Sequence, residues 1–307
     1  MTMVPGLVLR ARSGFYTIAT DEGDLVEARL RGRVKKERQA SDLAVIGDRV
    51  VVERLADGTG AIASVDPRLR RFSRRQPGPR GSWREDVIVA NPDLVAIVFA
   101  ADRPPPNPRL IDRFLVVAEY NEVPALLVAN KVDLDADAAR AVFGHYERIG
   151  YDVLYASAKA GIGVELLRDR LAGRLSIVTG PSGVGKSTLL NALQPGLQLA
   201  TGEVSAAEEG KGKHTTTHAE LLPLEGPDGG YVADTPGIRE LGLWDIPPSE
   251  LAWCFPEFRD HLGGCAFNDC SHLHEPRCSV RTAVGRGDVS EERYDSYRRM
   301  LTGDLAG

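Results

Sequence analysis

The sequence predicts a multidomain chain of three units: an N-terminal β-barrel of the OB type, a central α/β P-loop domain, and a C-terminal, mainly helical unit built around a metal site. Three observations carry this. Short strand-like segments recur at close spacing over residues 4–70. The octapeptide GPSGVGKS occupies residues 180–187, between a strand-like run and a helix-like one. Three of the four cysteines and two histidines crowd into residues 265–278.

In the first unit, residues 6–20, 25–34, 46–55 and 60–65 mix apolar and polar side chains, with Gly- and Asp-containing turns between them. No helical period interrupts them. Short strands at such spacing suggest a small barrel or sandwich; a five-stranded OB-type barrel fits about 70 residues, and its loops commonly bind oligonucleotides. Residues 71–84 (RFSRRQPGPRGSWR) are rich in Arg, Pro and Gly and read as a linker or a flexible basic loop.

The pattern then changes. Runs 94–100 (LVAIVFA) and 125–129 (ALLVA) are continuously apolar, as buried parallel strands should be. Residues 108–119 between them have helical spacing, and 152–156 and 175–179 are further strands. Alternating strands and helices over residues 85–243 give a three-layer α/β domain. Beyond Trp244 the period fades into the Cys/His cluster, and a charged helix over 290–301 closes the chain.

Charge is unevenly spread. Residues 1–84 hold 17 Lys+Arg and 10 Asp+Glu, whereas the other 223 hold 21 and 33. A basic module on an acidic body suits a polyanionic partner such as RNA. Its contacts would be Arg31, Arg33, Lys35 and Lys36, with Arg70, Arg71, Arg74 and Arg75. A solvated charged surface is the alternative reading. No apolar run approaches the ~18 residues of a membrane-spanning helix. Residues 1–12 lack the apolar stretch of a secretion signal. We expect a cytoplasmic monomer with no membrane partner.

Residues 180–187 match the phosphate-loop pattern G-x-x-x-x-G-K-[ST]. In Gly180, Pro181, Ser182, Gly183, Val184 and Gly185, the glycines let backbone N–H groups turn inward onto phosphate oxygens. Lys186 reaches the β- and γ-phosphates, Ser187 ligates Mg²⁺, and Thr188 continues into a helix whose N-terminal dipole favours the anion.

Asn130, Lys131, Val132 and Asp133 (NKVD) follow one strand, and Ser157, Ala158 and Lys159 (SAK) follow another. Asp133 can accept both guanine N1–H and the 2-amino group. Adenine presents a mismatched edge and would leave the carboxylate unpaired. Asn130 braces the site and approaches N7, the Lys131 stem covers the base plane, and the Ala158 N–H donates to O6. The nucleotide is therefore GTP. Asp234 opens a DTPG segment at a strand end, where a carboxylate holds Mg²⁺ through water and the Gly237 N–H faces the γ-phosphate.

NKVD, SAK, GPSGVGKS, a Thr-rich segment and DTPG are the five G motifs of Ras-like GTPases, here in the order four, five, one, two, three. In this permuted order and in its layout the chain resembles the RsgA/YjeQ family, the small-ribosomal-subunit-dependent GTPases. The resemblance covers nearly the whole chain. It implies an OB-fold RNA-binding domain over 1–75, a circularly permuted GTPase domain over 76–243 and a zinc-binding domain over 244–307.

Cys265, Cys270, His272 and Cys278 form C-x4-C-x-H-x5-C, the zinc signature of that family. Three thiolates and one imidazole suit a closed, tetrahedral, structural Zn²⁺ site, one per chain. The metal would hold a segment with little apolar core. His274 competes as ligand, and Cys254 reads as a buried apolar residue. Residues 210–217 (GKGKHTTT) read as switch I, with Thr216 closing on Mg²⁺ and the γ-phosphate and Thr215 and Thr217 as alternatives.

The function implied is hydrolysis of GTP to GDP and phosphate in late maturation of the small (30S) ribosomal subunit, stimulated by the subunit. The partners are GTP/GDP and the subunit with its rRNA. Water attacks the γ-phosphate in line while Lys186 and Mg²⁺ stabilise the developing charge. Ras-like enzymes place a Gln after DxxG; here Ile238 follows, so the chain alone should be slow. His214 is the nearest imidazole able to orient the water, unless it only lines a loop.

Overall fold

The first five strands close on themselves. They are β1 (Met3–Arg12), β2 (Phe15–Thr20), β3 (Leu25–Leu30), β4 (Arg49–Arg54) and β5 (Gly60–Val65). Their pairing order is β1-β2-β3-β5-β4 and back to β1, antiparallel except for β3 and β5. This is the expected OB-type barrel. The computed structural model describes residues 2–32, 43–77, 83–197, 220–234 and 246–304, with the backbone alone at 75–77, 83, 84 and 234. Residues 6–20, read as one stretch, divide at Ser13 and Gly14. Both have positive φ (50° and 83°), the backbone of a two-residue hairpin turn.

The barrel is joined to the next unit by strand β1 itself. A bulge between Val8 and Arg10 lets adjacent residues serve two cores. Val8 fills the barrel, while Leu9 joins a second core cluster that holds Phe72, Val89 and Leu175. Arg10 pairs with Glu220 of β12 (Glu220–Pro223), so barrel and central sheet are continuous. Gly47 seals the seam at φ 85°; a Cβ there would lie 2.1 Å from the Ala90 carbonyl oxygen, so no side chain fits.

Residues 71–77 and 83–84 do not form the expected linker or loop, and residues 78–82 lie outside the described residues. Arg71–Pro77 (β6) and Trp83–Ala90 (β7) are antiparallel strands of a separate two-stranded sheet. Arg71–Glu85 and Arg74–Asp86 ion pairs, both 2.9 Å, cross it, and Phe72 and Val89 are fully buried. The strand pair is invisible locally because its apolar cover comes from residues far along the chain, while the carboxylates Glu85 and Asp86 that face its arginines follow just past the Arg-rich segment.

The central sheet runs β10 (Asp152–Tyr155), β9 (Ala125–Asn130), β8 (Leu94–Ala100), β11 (Leu175–Thr179) and β13 (Tyr231–Asp234), all parallel, with β12 antiparallel beside β13. Strand β8 is buried throughout. Its Val95, Ile97 and Phe99 meet α1 (Pro108–Tyr120) and α2 (Ala136–Arg148) on one face. Its Leu94, Ala96 and Val98 meet α3 (Val164–Leu171) and α4 (Lys186–Leu193) on the other. The period of two along one strand thus feeds two cores, as three layers require.

The C-terminal unit contains a helical turn α5 (Pro248–Leu251), a 3-10 segment (Pro256–Gly264), α6 (Ser279–Arg286) and α7 (Glu291–Thr302). Ser290, whose side chain accepts from the Arg293 N–H, caps α7. The rings of Phe255, Phe258 and Tyr297 pack together at 5.0–5.6 Å, and Val116 of α1 joins their core. Arg293 is 1% exposed and pairs with Asp112 of α1 at 2.8 Å and with Glu257 at 2.6 Å. Asp112 also accepts from the Tyr146 and Ser296 hydroxyls at 2.9 and 2.5 Å. Every oxygen of this buried carboxylate is therefore bonded, which makes an internal charge tolerable.

Candidate guanine-nucleotide site and metal centre

NKVD follows β9, SAK follows β10, the phosphate loop follows β11 and Asp234 ends β13. Parallel strands carry all their C-terminal ends to one edge, the usual ligand edge of an open α/β sheet. The order of the motifs in the chain is therefore immaterial to their positions in space. Permutation moves the chain termini and leaves the site assembled.

The phosphate loop is fixed by three glycines with positive φ, Gly180 (138°), Gly183 (78°) and Gly185 (92°). A Cβ on Gly180 would meet the Val98 carbonyl oxygen at 2.1 Å, and one on Gly185 would meet Asn130 Nδ2 at 2.6 Å. Lys186 Nζ donates to the Gly180 and Pro181 carbonyls at 2.7 and 2.5 Å, within the loop. Ser187 and Thr188 follow in the first turn of α4, beyond Ser182 and Val184 of the loop.

Asn130, 2% exposed, joins three motifs: Nδ2 donates to the Val184 carbonyl at 2.9 Å, and Oδ1 accepts from the Ala158 N–H at 3.4 Å. Lys131 Nζ donates to Gly183 O at 2.7 Å and also to Arg103 O. The loop after β8 thus belongs to the site, which sequence reasoning missed because it carries no motif. Ser157 Oγ donates to Asp133 Oδ1 at 2.5 Å and orients the carboxylate. The Val132 N–H donates to Ala156 O at 3.1 Å and holds NKVD against β10. A cavity of about 170 Å³ is lined by Asn130, Lys131, Asp133, Leu134, Ser157, Ala158, Lys159, Gly185 and Thr188. Thr188 faces this cavity rather than only the phosphate loop. Asp234 lies one residue beyond the Ile177–Ala233 pair, beside the strand that feeds that loop. His214, Thr216, Gly237 and Ile238 lie outside the described residues.

In the C-terminal unit the ligand atoms of Cys265, Cys270, His272 and Cys278 all lie within 4.8 Å of one another. His272 Nδ1 is 3.5 Å from Cys265 Sγ and 3.4 Å from Cys278 Sγ, and those sulfurs are 3.9 Å apart. Tetrahedral zinc with its usual bond lengths needs edges of about 3.5 Å between nitrogen and sulfur and about 3.8 Å between sulfurs. The residues fit the metal. His274 is exposed and lies outside the cluster. Cys254 is buried, and burial pushes its thiol up to about 12, so it stays an inert apolar residue. Glu275 organises the ligand loop: it accepts from Ser271 N and Oγ at 2.9 and 2.6 Å and from Leu273 N and His274 N, both 3.2 Å.

The expected basic contacts of the barrel are differently placed. Arg31 pairs with Glu53, Arg70 with Asp93 at 3.9 Å, and Arg71 and Arg74 with the carboxylates of β7. Arg10, Arg49, Arg54 and Arg68 also have acidic partners. Arg33, Lys35 and Lys36 lie outside the described residues, and Arg75 is described by its backbone alone.

A P-loop, a guanine-type base loop and a permuted strand order on one sheet edge define a circularly permuted GTPase. The chain belongs to the RsgA GTPase family: the RsgA GTPase model matches residues 65–244 and the RsgA N-terminal domain matches residues 5–62. It is 47% identical over 302 residues to the small ribosomal subunit biogenesis GTPase RsgA of Gemmatimonas aurantiaca, covering 97% of both chains. It is 42% identical over 301 residues to the Moorella thermoacetica protein of the same name, covering 98% of this chain and 97% of that one. Among solved structures, YjeQ from Thermotoga maritima superposes with a TM-score of 0.81 at 36% identity over all of both chains. YloQ, described as a circularly permuted GTPase, gives 0.74 at 31% identity over 100% of this chain and 97% of that one.

Proposed function

We propose that this GTPase acts in late maturation of the small ribosomal subunit and that the subunit raises its rate of hydrolysis. The observation that carries the reading is one cavity shared by NKVD, SAK and the phosphate loop. The names of the relatives supply the biological setting.

In this reading Asp133, steadied by Ser157, reads guanine, with Asn130, Lys131, Val132, Ala158 and Lys159 completing the base site. Residues 180–185 cradle the phosphates through backbone N–H groups, and Lys186 neutralises charge that grows on the phosphoryl oxygens in the transition state. Ser187 and Thr216, with Asp234 through water, would hold Mg²⁺, which would supply positive charge against the phosphates when bound. Gly237 meets the γ-phosphate and His214 orients the attacking water. Zinc is structural, because four protein ligands leave no open position. The units divide at 1–75, 76–243 and 244–307, with the β6–β7 hairpin as the seam between the first two. Among the described residues no helix is long and apolar enough to cross a membrane. We take the chain as a cytoplasmic monomer.

The test is multiple-turnover GTP hydrolysis with and without purified small subunits. Slow hydrolysis alone with a rate raised at least about tenfold by small subunits, and not by large ones, is the expected result. Equal rates under all conditions would refute subunit stimulation.

A further inference from the structure

The loop between β8 and α1 sets a further cation beside the phosphate cradle. Lys131 Nζ donates both to Arg103 O and to Gly183 O, the latter at 2.7 Å. Two carbonyls that share one ammonium lie within two hydrogen-bond lengths of each other. Pro104 closes the same gap: a Cβ on Gly183 would lie 3.8 Å from its Cδ. Arg103 holds φ at 49°, in the left-handed region that arginine seldom adopts. Its side chain is 75% exposed, and its partner among the described residues is the adjacent Asp102, itself exposed, at 3.2 Å.

An exposed ion pair of this kind is worth little and exchanges readily for a stronger anion. Lys131 is already committed to two carbonyls, and Lys186 serves the β- and γ-phosphates. The α- and β-phosphates cradled by the glycine loop are thus left to backbone N–H groups. A guanidinium is planar, always charged and able to bind two phosphate oxygens at once. An extended arginine side chain spans the short gap from residue 103 to the loop. An unusual φ held in place by neighbouring contacts is a common mark of a functional position.

We propose that Arg103 swings from Asp102 onto the α- and β-phosphates of the bound guanine nucleotide and acts as a binding residue for GDP and GTP alike. The proposal rests on residues 180–187 being the phosphate cradle. Arg103 is then a site residue outside every motif, on a loop that the base-reading Lys131 ties to that cradle.

Competition against labelled GDP measures the affinities of GTP, GDP and guanosine for the full-length chain. Arg103→Asn removes the charge and keeps a residue that tolerates positive φ. It should weaken GTP and GDP alike by about 10- to 100-fold, the usual worth of a hydrogen bond to a charged group, and leave guanosine unaffected. Arg103→Lys keeps the charge without the fork and should fall between the two. Equal losses for guanosine and GTP would show that residue 103 only shapes the loop and would overturn the phosphate contact. Wild-type affinity for GTP and GDP beside weaker binding of purified small subunits would assign the guanidinium to an rRNA phosphate and overturn it as well. Lys186→Ala is the reference: a loss there with none in Arg103→Asn removes this inference alone, whereas no loss in either variant removes the phosphate-cradle reading itself.

Discussion

Asn130 Nδ2 donates to the Val184 carbonyl at 2.9 Å, a bond that spans from the base-reading loop to the phosphate loop. The two halves of the nucleotide site therefore share one buried amide. Asn130→Ala leaves that carbonyl unpaired, a loss of about 1–3 kcal/mol. It should weaken GTP and GDP binding together by about 5- to 150-fold, with guanine selectivity kept. Titration with fluorescent GDP and GTP analogues measures this, and unchanged affinity for both would show that the loops are held by other contacts.

Base selectivity is expected to reside in Asp133. Asp133→Asn replaces an acceptor pair by an amide that complements xanthine better than guanine. GTP should bind more weakly and xanthosine triphosphate more tightly, read by competition against a labelled nucleotide. A variant that keeps the wild-type preference for GTP would place the base elsewhere.

Arg293 is buried between Asp112 and Glu257. Arg293→Met leaves two internal carboxylates without a counter-charge, at a cost of about 3–5 kcal/mol. The expected readout is a lower denaturation midpoint with zinc still bound. A loss below about 1 kcal/mol would mean that water reaches the pair once the arginine is gone.

Zinc should be present at one ion per chain and lost in Cys270→Ser, as metal analysis of protein purified without chelator would show. Glu275 makes no metal bond but accepts four hydrogen bonds from the ligand loop. Glu275→Gln should lower zinc affinity about 10- to 100-fold in competition with a chromogenic chelator. Undiminished affinity would show that the loop forms without it.

His214→Ala should retain subunit binding and lose most subunit-stimulated, single-turnover hydrolysis, because a positioned base is typically worth about 10²–10⁴-fold. Full stimulation of the variant would assign the water-positioning group to the ribosome instead.

Motifs were legible where one short segment carries both the chemistry and its geometry. The glycines of 180–185 demand positive φ, so their spacing alone predicts a phosphate cradle. The base motifs at 130–133 and 157–159 were legible because an acceptor and its supports sit at the ends of unmistakably apolar strands. The hairpin over Arg71–Pro77 and Trp83–Ala90 was not, because local composition points to a loop and only its partners make it a sheet. The role of Lys131 at Arg103 O was equally hidden, since a backbone carbonyl has no sequence signature.

By itself the sequence determined the class of nucleotide, the metal-ligand set, the barrel and the order of the units, since each depends on residues close together along the chain. Tertiary structure alone decided which of the described arginines are held in ion pairs and how the three units are locked together. The bulge that sends Leu9 into the central core and the Arg293–Asp112 pair, 181 residues apart in sequence, exist only because folding brings distant partners within a few ångströms. Ion pairing and burial have ranges set in space, and no spacing along the chain encodes them.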